Sequence, residues 1–186
     1  MQLLLLLAIG WTGATAQARS PVAGSSEESR LWYALTVGGA GTRLTCDLCQ
    51  PARDLGPAVT VAVGAHAGEG LRVGLEGGGW THQEGSAREK AYAVGLVAHL
   101  VPDPTRGLYL LGGLGWTGYR AGDFSYDAPR LTVGVGWDVP LAGSWSVGNV
   151  VALDASSFTS LRNESATVVR NVGLSSLRVA VQVRRN

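Results

Sequence analysis

Apolar side chains alternate with small or polar ones along most of the chain, at the two-residue period of a β-strand. In residues 129–139, for example, Leu131 and Val133 alternate with Thr132 and Gly134. Eight segments show this alternation, and turn or loop residues separate them. Their approximate bounds are 30–44, 57–67, 71–81, 90–101, 107–119, 129–139, 145–158 and 172–184. The pattern predicts an all-β chain, because glycines interrupt nearly every window of helical length.

The connections between these segments alternate in length. Three are tight turns, at 68–70, 102–106 and 141–144, and four are longer and more polar, at 46–56, 82–89, 121–128 and 159–171. Short turns at one rim and longer loops at the other are typical of up-and-down membrane barrels. We call these ends the turn-side rim and the loop-side rim. The sequence therefore predicts an eight-stranded antiparallel transmembrane β-barrel over residues 30–186, preceded by a short segment, 19–29.

The two faces of the predicted strands differ in side-chain size. One face is rich in Val, Leu, Trp and Tyr, whereas the other is mostly Gly, Ala, Thr and Ser. The interior of an eight-stranded barrel is only just wide enough for side chains to fill, so we expect the small face inside and the large face against lipid.

The charges in the middle of the strands lie on the small face, so we expect them in the barrel lumen. An Arg facing lipid at the bilayer midplane would cost about 2–4 kcal/mol, which supports this assignment. The interpretation we favour is a structural ion network that packs the lumen rather than a catalytic site. Its predicted members are Arg72, Glu76, Arg130, Asp138, Asp154 and Arg178.

Aromatic residues near the strand ends suggest belts at the two membrane interfaces. The turn-side group is Trp32, Tyr33, Trp137 and Trp145, and the loop-side group is Trp80, Tyr92, Trp116, Tyr119 and Phe158. Trp80 falls out of phase with the apolar positions of its strand. Its place in a belt therefore requires a β-bulge at Gly77-Gly78-Gly79.

The first 18 residues have the features of a cleaved signal peptide. Residues 3–9 form an apolar run, and Ala16-Gln17-Ala18 fits the small-residue cleavage pattern. The run is too short to span a bilayer, which needs about 20 residues. A buried N-terminal strand is the alternative interpretation.

The two cysteines, Cys46 and Cys49, lie three residues apart in a predicted loop. A cleaved leader would deliver the chain to an oxidising compartment, where a short loop disulfide is the simplest interpretation. A redox pair would need a helix N-terminus to lower the thiol pKa, and the flanking sequence is β-like. A metal site would need about four ligands, of which two thiolates are only a part.

Composition and charge exclude some functions. The 15 basic and 14 acidic residues give a net charge of +1, which offers no electrostatic footprint for nucleic acid. The glycine-rich stretch at 112–115 is followed by neither Lys-Ser/Thr nor a helix, so it is no phosphate loop. We expect no cofactor, no metal and no catalytic residue.

The alternation, turn lengths and charged lumen positions together resemble the small eight-stranded outer-membrane β-barrels of Gram-negative bacteria, the A/X/W-like outer-membrane proteins. The resemblance covers roughly residues 30–184 and rests on architecture. Members of that family usually end with an aromatic residue, whereas this chain ends Val183-Arg184-Arg185-Asn186. The resemblance implies a location in the outer membrane of a Gram-negative bacterium, contact with outer-membrane lipid, and a non-enzymatic role in envelope integrity or in binding an extracellular ligand through the loops.

Two other classes of function remain as alternatives. A soluble, secreted lipocalin-like barrel that binds an apolar ligand would carry the large aliphatic residues inside. A lipid-A-modifying outer-membrane enzyme would place a histidine two residues before a serine on one strand. None of His66, His82 and His99 has serine at that position, and they are expected at different rims.

Overall fold

The computed structural model describes residues 31–46, 53–84, 87–103, 105–156, 159–163 and 166–186. The predicted signal peptide, the segment 19–29 and Cys49 lie outside these residues. No helix in the described part of the chain is long and apolar enough to cross a membrane. The described residues form nine β-strands: β1 Leu31–Thr45, β2 Asp54–Gly68, β3 Leu71–Glu84, β4 Ala87–Leu100, β5 Leu108–Ala121, β6 Phe124–Pro140, β7 Trp145–Ser156, β8 Thr159–Asn163 and β9 Ala166–Arg185.

The strands close into an antiparallel barrel. Each strand from β1 to β7 pairs with the next, β7 pairs with β9, and β9 pairs with β1. The barrel wall thus has eight strands, as predicted. The short strand β8 stands outside this circuit, because it pairs with the first part of β9 and with the beginning of β6.

The loop-side connections are shorter than predicted. β3 and β4 leave only residues 85–86 between them, and β5 and β6 are joined by a tight turn at Gly122-Asp123, where Gly122 has a φ of 54°. The predicted loop 159–171 contains β8 and the start of β9. The predictions of long loops at 82–89, 121–128 and 159–171 were wrong, because the apolar alternation ends before the strands do. Backbone hydrogen bonds between the strands continue where the side chains become polar.

The assignment of the two faces is confirmed. Val179 and Val181 are 57% and 51% exposed on the outside, whereas Arg178, adjacent to Val179, is 7% exposed inside the barrel. In β2, β4 and β6, too, the large apolar residues are exposed on the outside of the barrel. The large aliphatic residues therefore cover the exterior and the small residues line the lumen.

Three aromatic residues do not join the predicted belts. Trp32, Trp80 and Tyr119 point into the lumen and are at most 6% exposed. The ladder between β2 and β3 runs without a bulge from Ala58 opposite Trp80 to Val61 opposite Gly77, so Trp80 keeps its inward phase. The belts that remain are Tyr33, Trp137 and Trp145 at the turn side and Tyr92 and Trp116 at the loop side. Phe158 lies outside the described residues.

Two glycines of β5 give a test of the narrow lumen. A Cβ added to inward-facing Gly115 would lie 2.6 Å from the Cα of Gly95 and would also collide with the Val94 carbonyl oxygen, whereas one on outward Gly112 would meet nothing within 4 Å. We expect Gly115→Ala to destabilise the barrel by about 1–3 kcal/mol, because overpacking forces the backbone to shift. Gly112→Ala is the matched control, and urea unfolding followed by tryptophan fluorescence measures both. Equal effects would contradict a lumen packed at Gly115.

Candidate functional site

The turn-side part of the lumen is closed by a stack of four side chains, which we call the plug: Trp32, His99, Tyr109 and Arg184. The His99 ring lies 5.1 Å from the Trp32 ring and 4.9 Å from the Tyr109 ring, centroid to centroid. The Arg184 guanidinium carbon is 4.6 Å from the centroid of Tyr109, a cation–π contact. All four side chains are at most 2% exposed, so no open path passes through them.

Asp138 lies beside the plug and pairs with two arginines. Arg184 forms an ion pair with this carboxylate, and Arg72 lies 3.6 Å from it. Arg184 also donates hydrogen bonds to Gln182 Oε1 at 2.6 Å and to His99 Nδ1 at 3.1 Å. Because a guanidinium can only donate, His99 Nδ1 is the acceptor and the imidazole is neutral with its proton on Nε2.

A second ion network fills the middle of the barrel. Arg130 lies 3.3 Å from Glu76 and 3.2 Å from Asp154, and it joins β6 to β3 and β7. Arg178 of β9 lies 3.5 Å from Glu76 and donates to the Thr60 hydroxyl. The two arginines and two carboxylates of this middle network balance in charge.

The six charged residues singled out from the sequence thus lie in two groups. Arg72 and Asp138 lie beside the plug, where Asp138 pairs with Arg72 and with Arg184, whereas Arg130, Arg178, Glu76 and Asp154 form the middle network. Sequence reasoning missed Arg184 and His99. Arg184 shares the inward phase of Arg178 and Gln182 along β9, so this alternation could have found it.

A small cavity lies on the loop side of the middle network. Its volume is about 60 Å³, and its lining includes Glu76, Arg130, Asp154 and Arg178 as well as Trp80. At about 10–15 Å³ of such volume for each water, it has room for only a few water molecules. Trp80 donates from its indole Nε1 to the Ala40 carbonyl oxygen at 2.8 Å. The described lumen therefore offers a small chamber in which a few charged side chains lie among mostly small and apolar ones.

Polar contacts on the outer surface mark the loop-side edge of the apolar band. Tyr92 donates from its hydroxyl to Asp127 at 2.8 Å, and Arg120 lies 3.0 Å from the same carboxylate. Outward Leu100 and Tyr92 are eight residues apart on β4. Eight steps of about 3.3 Å on a strand tilted by about 40° span about 20 Å, close to the roughly 25 Å apolar band of outer-membrane barrels.

Within the described ranges, the three histidines and Cys46 form no common centre. His66 is near the turn-side end of β2, His99 is inside the plug, and His82 lies at the loop-side rim, where its Nδ1 is 2.7 Å from the Leu55 carbonyl oxygen. Among the residues that the structure describes, no group of three His, Cys, Asp or Glu side chains could hold a metal ion. The disulfide between Cys46 and Cys49 stays a prediction, because Cys49 is not among the described residues.

Comparison with known proteins gives structural matches alone. No family model matches the chain, and no curated protein matches it. Neisserial surface protein A is 16% identical with a TM-score of 0.55, covering 83% of this chain and 96% of that one. The attachment invasion locus protein Ail of Yersinia pestis is 12% identical with a TM-score of 0.53, covering 84% and 99%.

A third similar structure is a major outer membrane protein of Thermus thermophilus. It is 13% identical with a TM-score of 0.50, covering 83% of this chain and 98% of that one. The Ail protein has also been solved in complex with the heparin analogue sucrose octasulfate. At these identities the matches show the fold, which is that of the small outer-membrane β-barrels.

Proposed function

We propose that this protein is a non-enzymatic β-barrel of the outer membrane of a Gram-negative bacterium, with a sealed lumen. Its role then lies on the outer and loop-side surfaces, in envelope integrity or in binding an extracellular ligand. The observation that carries the proposal is the combination of an apolar exterior with a lumen blocked by charged and aromatic side chains. Val179 is 57% exposed outside, while Arg184 is fully buried inside.

The loop-side surface is the part best suited to binding. Three hairpins, β3–β4, β5–β6 and β8–β9, end at this rim, and they carry outward charged residues such as Arg88 and Arg162. Hydrogen-bonded strands hold such side chains in fixed positions. The complex of Ail with sucrose octasulfate supports a binding role for a barrel of this fold.

The two alternative functions fit the geometry less well. A lipocalin-like carrier needs an apolar cavity large enough for its ligand, but this lumen cavity is only about 60 Å³ and four charged side chains share its lining. A hydrolase acting on lipid A needs a nucleophile and a base within hydrogen-bond reach. His99 instead contacts Trp32, Tyr109 and Arg184 within the plug.

Membrane insertion is tested by heat-modifiability and by fractionation of cells. A folded membrane barrel migrates differently in unboiled and boiled samples on a detergent gel and stays with the membrane fraction. Equal migration, together with protein in the soluble fraction, would contradict the proposed function.

The sealed lumen predicts very low conductance in planar lipid bilayers. We expect the wild-type protein to give no steady channel and Trp32→Ala to produce a measurable leak, since it removes a fully buried ring of the plug. Trp137→Ala is the matched control, because Trp137 faces outward and is 55% exposed. Stable wild-type channels, or equal leaks from both variants, would show that the plug does not close the barrel.

A further inference from the structure

Three cations face outward at the loop-side rim, and we call them the cationic row: Lys90 of β4, Arg120 of β5 and Arg162 of β8, with β6 between the last two strands. Lys90 of β4 is in register with Arg120 of β5, which is in register with Ser125 of β6, and Ser125 is in register with Arg162 of β8. Residues paired across an antiparallel ladder point to the same face, so the three side chains project from one surface.

Like charges directly opposite each other destabilise a sheet in water, so the row needs compensation. Asp127, 3.0 Å from Arg120, gives part of it. Among the described residues, no carboxylate lies within 4.0 Å of Lys90 or Arg162 as an ion pair. Lys90, which is the single lysine of the chain, and Arg162 are both exposed. The row therefore presents a surplus of positive charge to an anion.

The height of the row suggests which anion it meets. Lys90 is two residues beyond Tyr92 on β4, and Arg120 is four residues beyond Trp116 on β5, both toward the loop-side rim. Exposed Tyr and Trp side chains mark the membrane–water interface of such barrels. The cations thus lie at the level of the lipid headgroups, just outside the hydrocarbon.

We propose that the cationic row binds the phosphate-bearing headgroup of a lipid in the loop-side leaflet. The inference rests on the proposed membrane insertion and names a lipid partner for this rim. Arg120 is a rigid member, because it also donates to the backbone carbonyls of Tyr119 and Tyr126, at 2.9 and 3.2 Å. Lys90 and Arg162 are exposed on either side of Arg120, and we expect their side chains to reach the same phosphate.

The test measures lipids retained by the full chain in native mass spectrometry from detergent micelles. Micelles are titrated with dioleoyl phosphatidic acid or, for comparison, with zwitterionic dioleoyl phosphatidylcholine. We expect the wild type to prefer phosphatidic acid. Lys90→Gln with Arg162→Gln, which spares Arg120, should weaken this binding about thirtyfold, since each cation near a charged lipid surface contributes about fivefold.

Two control variants separate a site from general charge attraction. Arg106→Gln with Arg185→Gln removes the same charge from the turn side and should leave phosphatidic acid binding unchanged. Lys90→Arg with Arg162→Lys keeps both charges and should bind as the wild type does. Equal retention of the two lipids, or an equal loss in the turn-side variant, would overturn the proposal.

An excess of inorganic phosphate identifies the source of the anion. If the row is a lipid site, phosphatidic acid should stay bound in the presence of inorganic phosphate. If inorganic phosphate displaces the phosphatidic acid, the row binds free phosphate and the lipid assignment is overturned. Heat-modifiability is measured on every variant. If the wild-type chain is not heat-modifiable, the proposed membrane barrel is contradicted. If it is heat-modifiable but has no preference for phosphatidic acid, only this inference is overturned.

Discussion

Replacing Asp138 with asparagine is expected to destabilise the barrel by about 3–5 kcal/mol, the usual cost of removing one partner from a buried ion pair. Asp138 is the carboxylate that faces both Arg72 and Arg184 in the plug, and Arg184 is fully buried. Without it, two guanidinium groups would share the turn-side lumen with no opposite charge within ion-pair distance among the described residues. Urea unfolding in detergent or lipid, followed by the gel shift of the folded barrel, measures the loss.

The control for this prediction is Asp103→Asn. Asp103 lies in the turn between β4 and β5 and is 3.0 Å from Arg106, with both side chains well exposed. Thr105 donates to its carboxylate from the backbone at 2.9 Å and from the hydroxyl at 2.6 Å, and these hydrogen bonds hold the pKa of Asp103 below its usual value. Surface ion pairs contribute little to stability, so the unfolding midpoint should stay at the wild-type value.

A second change distinguishes lost charge balance from lost packing. Asp138→Leu combined with Arg184→Met removes two opposite charges and fills their space with apolar groups. Such a replacement of a buried ion pair often leaves the stability of the protein unchanged. We expect this double variant to be more stable than Asp138→Asn alone. A double variant that is still less stable would show that the plug depends on specific hydrogen bonds, such as that from Arg184 to His99, rather than on charge balance.

The barrel itself follows from the sequence because side-chain size repeats with the period of the strand. Val179 and Val181 must face lipid once Arg178 and Gln182 face inward, since a shift by one residue would exchange all of them. This coupling makes the assignment of faces robust. It also places Arg184 inside, although its position near the chain end concealed how fully it would be buried.

Other features depend on distances between strands that one sequence does not specify. The division of the charges into a plug and a middle network depends on the register that sets Arg184 beside Asp138 and His99. The cationic row could not be predicted for the same reason. Lys90 and Arg162 are far apart in the chain, and only the pairing of β5 and β6 between their strands places them on one surface. Alternation predicts which face a residue takes, but not its neighbours across the sheet.

The aromatic belts show where a plausible rule failed. Trp32 and Trp80 lie near strand ends, as belt residues do, yet they keep the inward phase of their strands. Small neighbours make this possible: a Cβ added to Gly64 or Gly74 would come within 2.8 Å of the Trp32 ring. The glycines that face Trp32 across β2 and β3 therefore leave room for its ring inside the barrel.

Placing an arginine at Leu96 is expected to destabilise the membrane-inserted barrel by about 2–4 kcal/mol, the cost of a cation at the bilayer midplane. Leu96 lies midway between Leu100 and Tyr92 on the outward face of β4 and is 65% exposed. Its partner across the ladder is Leu114, which is also outward, so no carboxylate is at hand to pair with the new charge. Refolding into vesicles, with the folded fraction read from unboiled gels across a urea series, measures this cost.

Leu55→Arg gives the matched comparison, because it makes the same substitution at an outward leucine of the loop-side rim. Leu55 is 72% exposed, more than Leu96, so a protein surrounded by water would tolerate both changes equally. In a bilayer the Leu55 side chain lies near the interface, where an added arginine costs about 0–1 kcal/mol. The difference between the two variants therefore reports whether hydrocarbon covers β4, and equal stabilities would contradict a lipid-facing exterior.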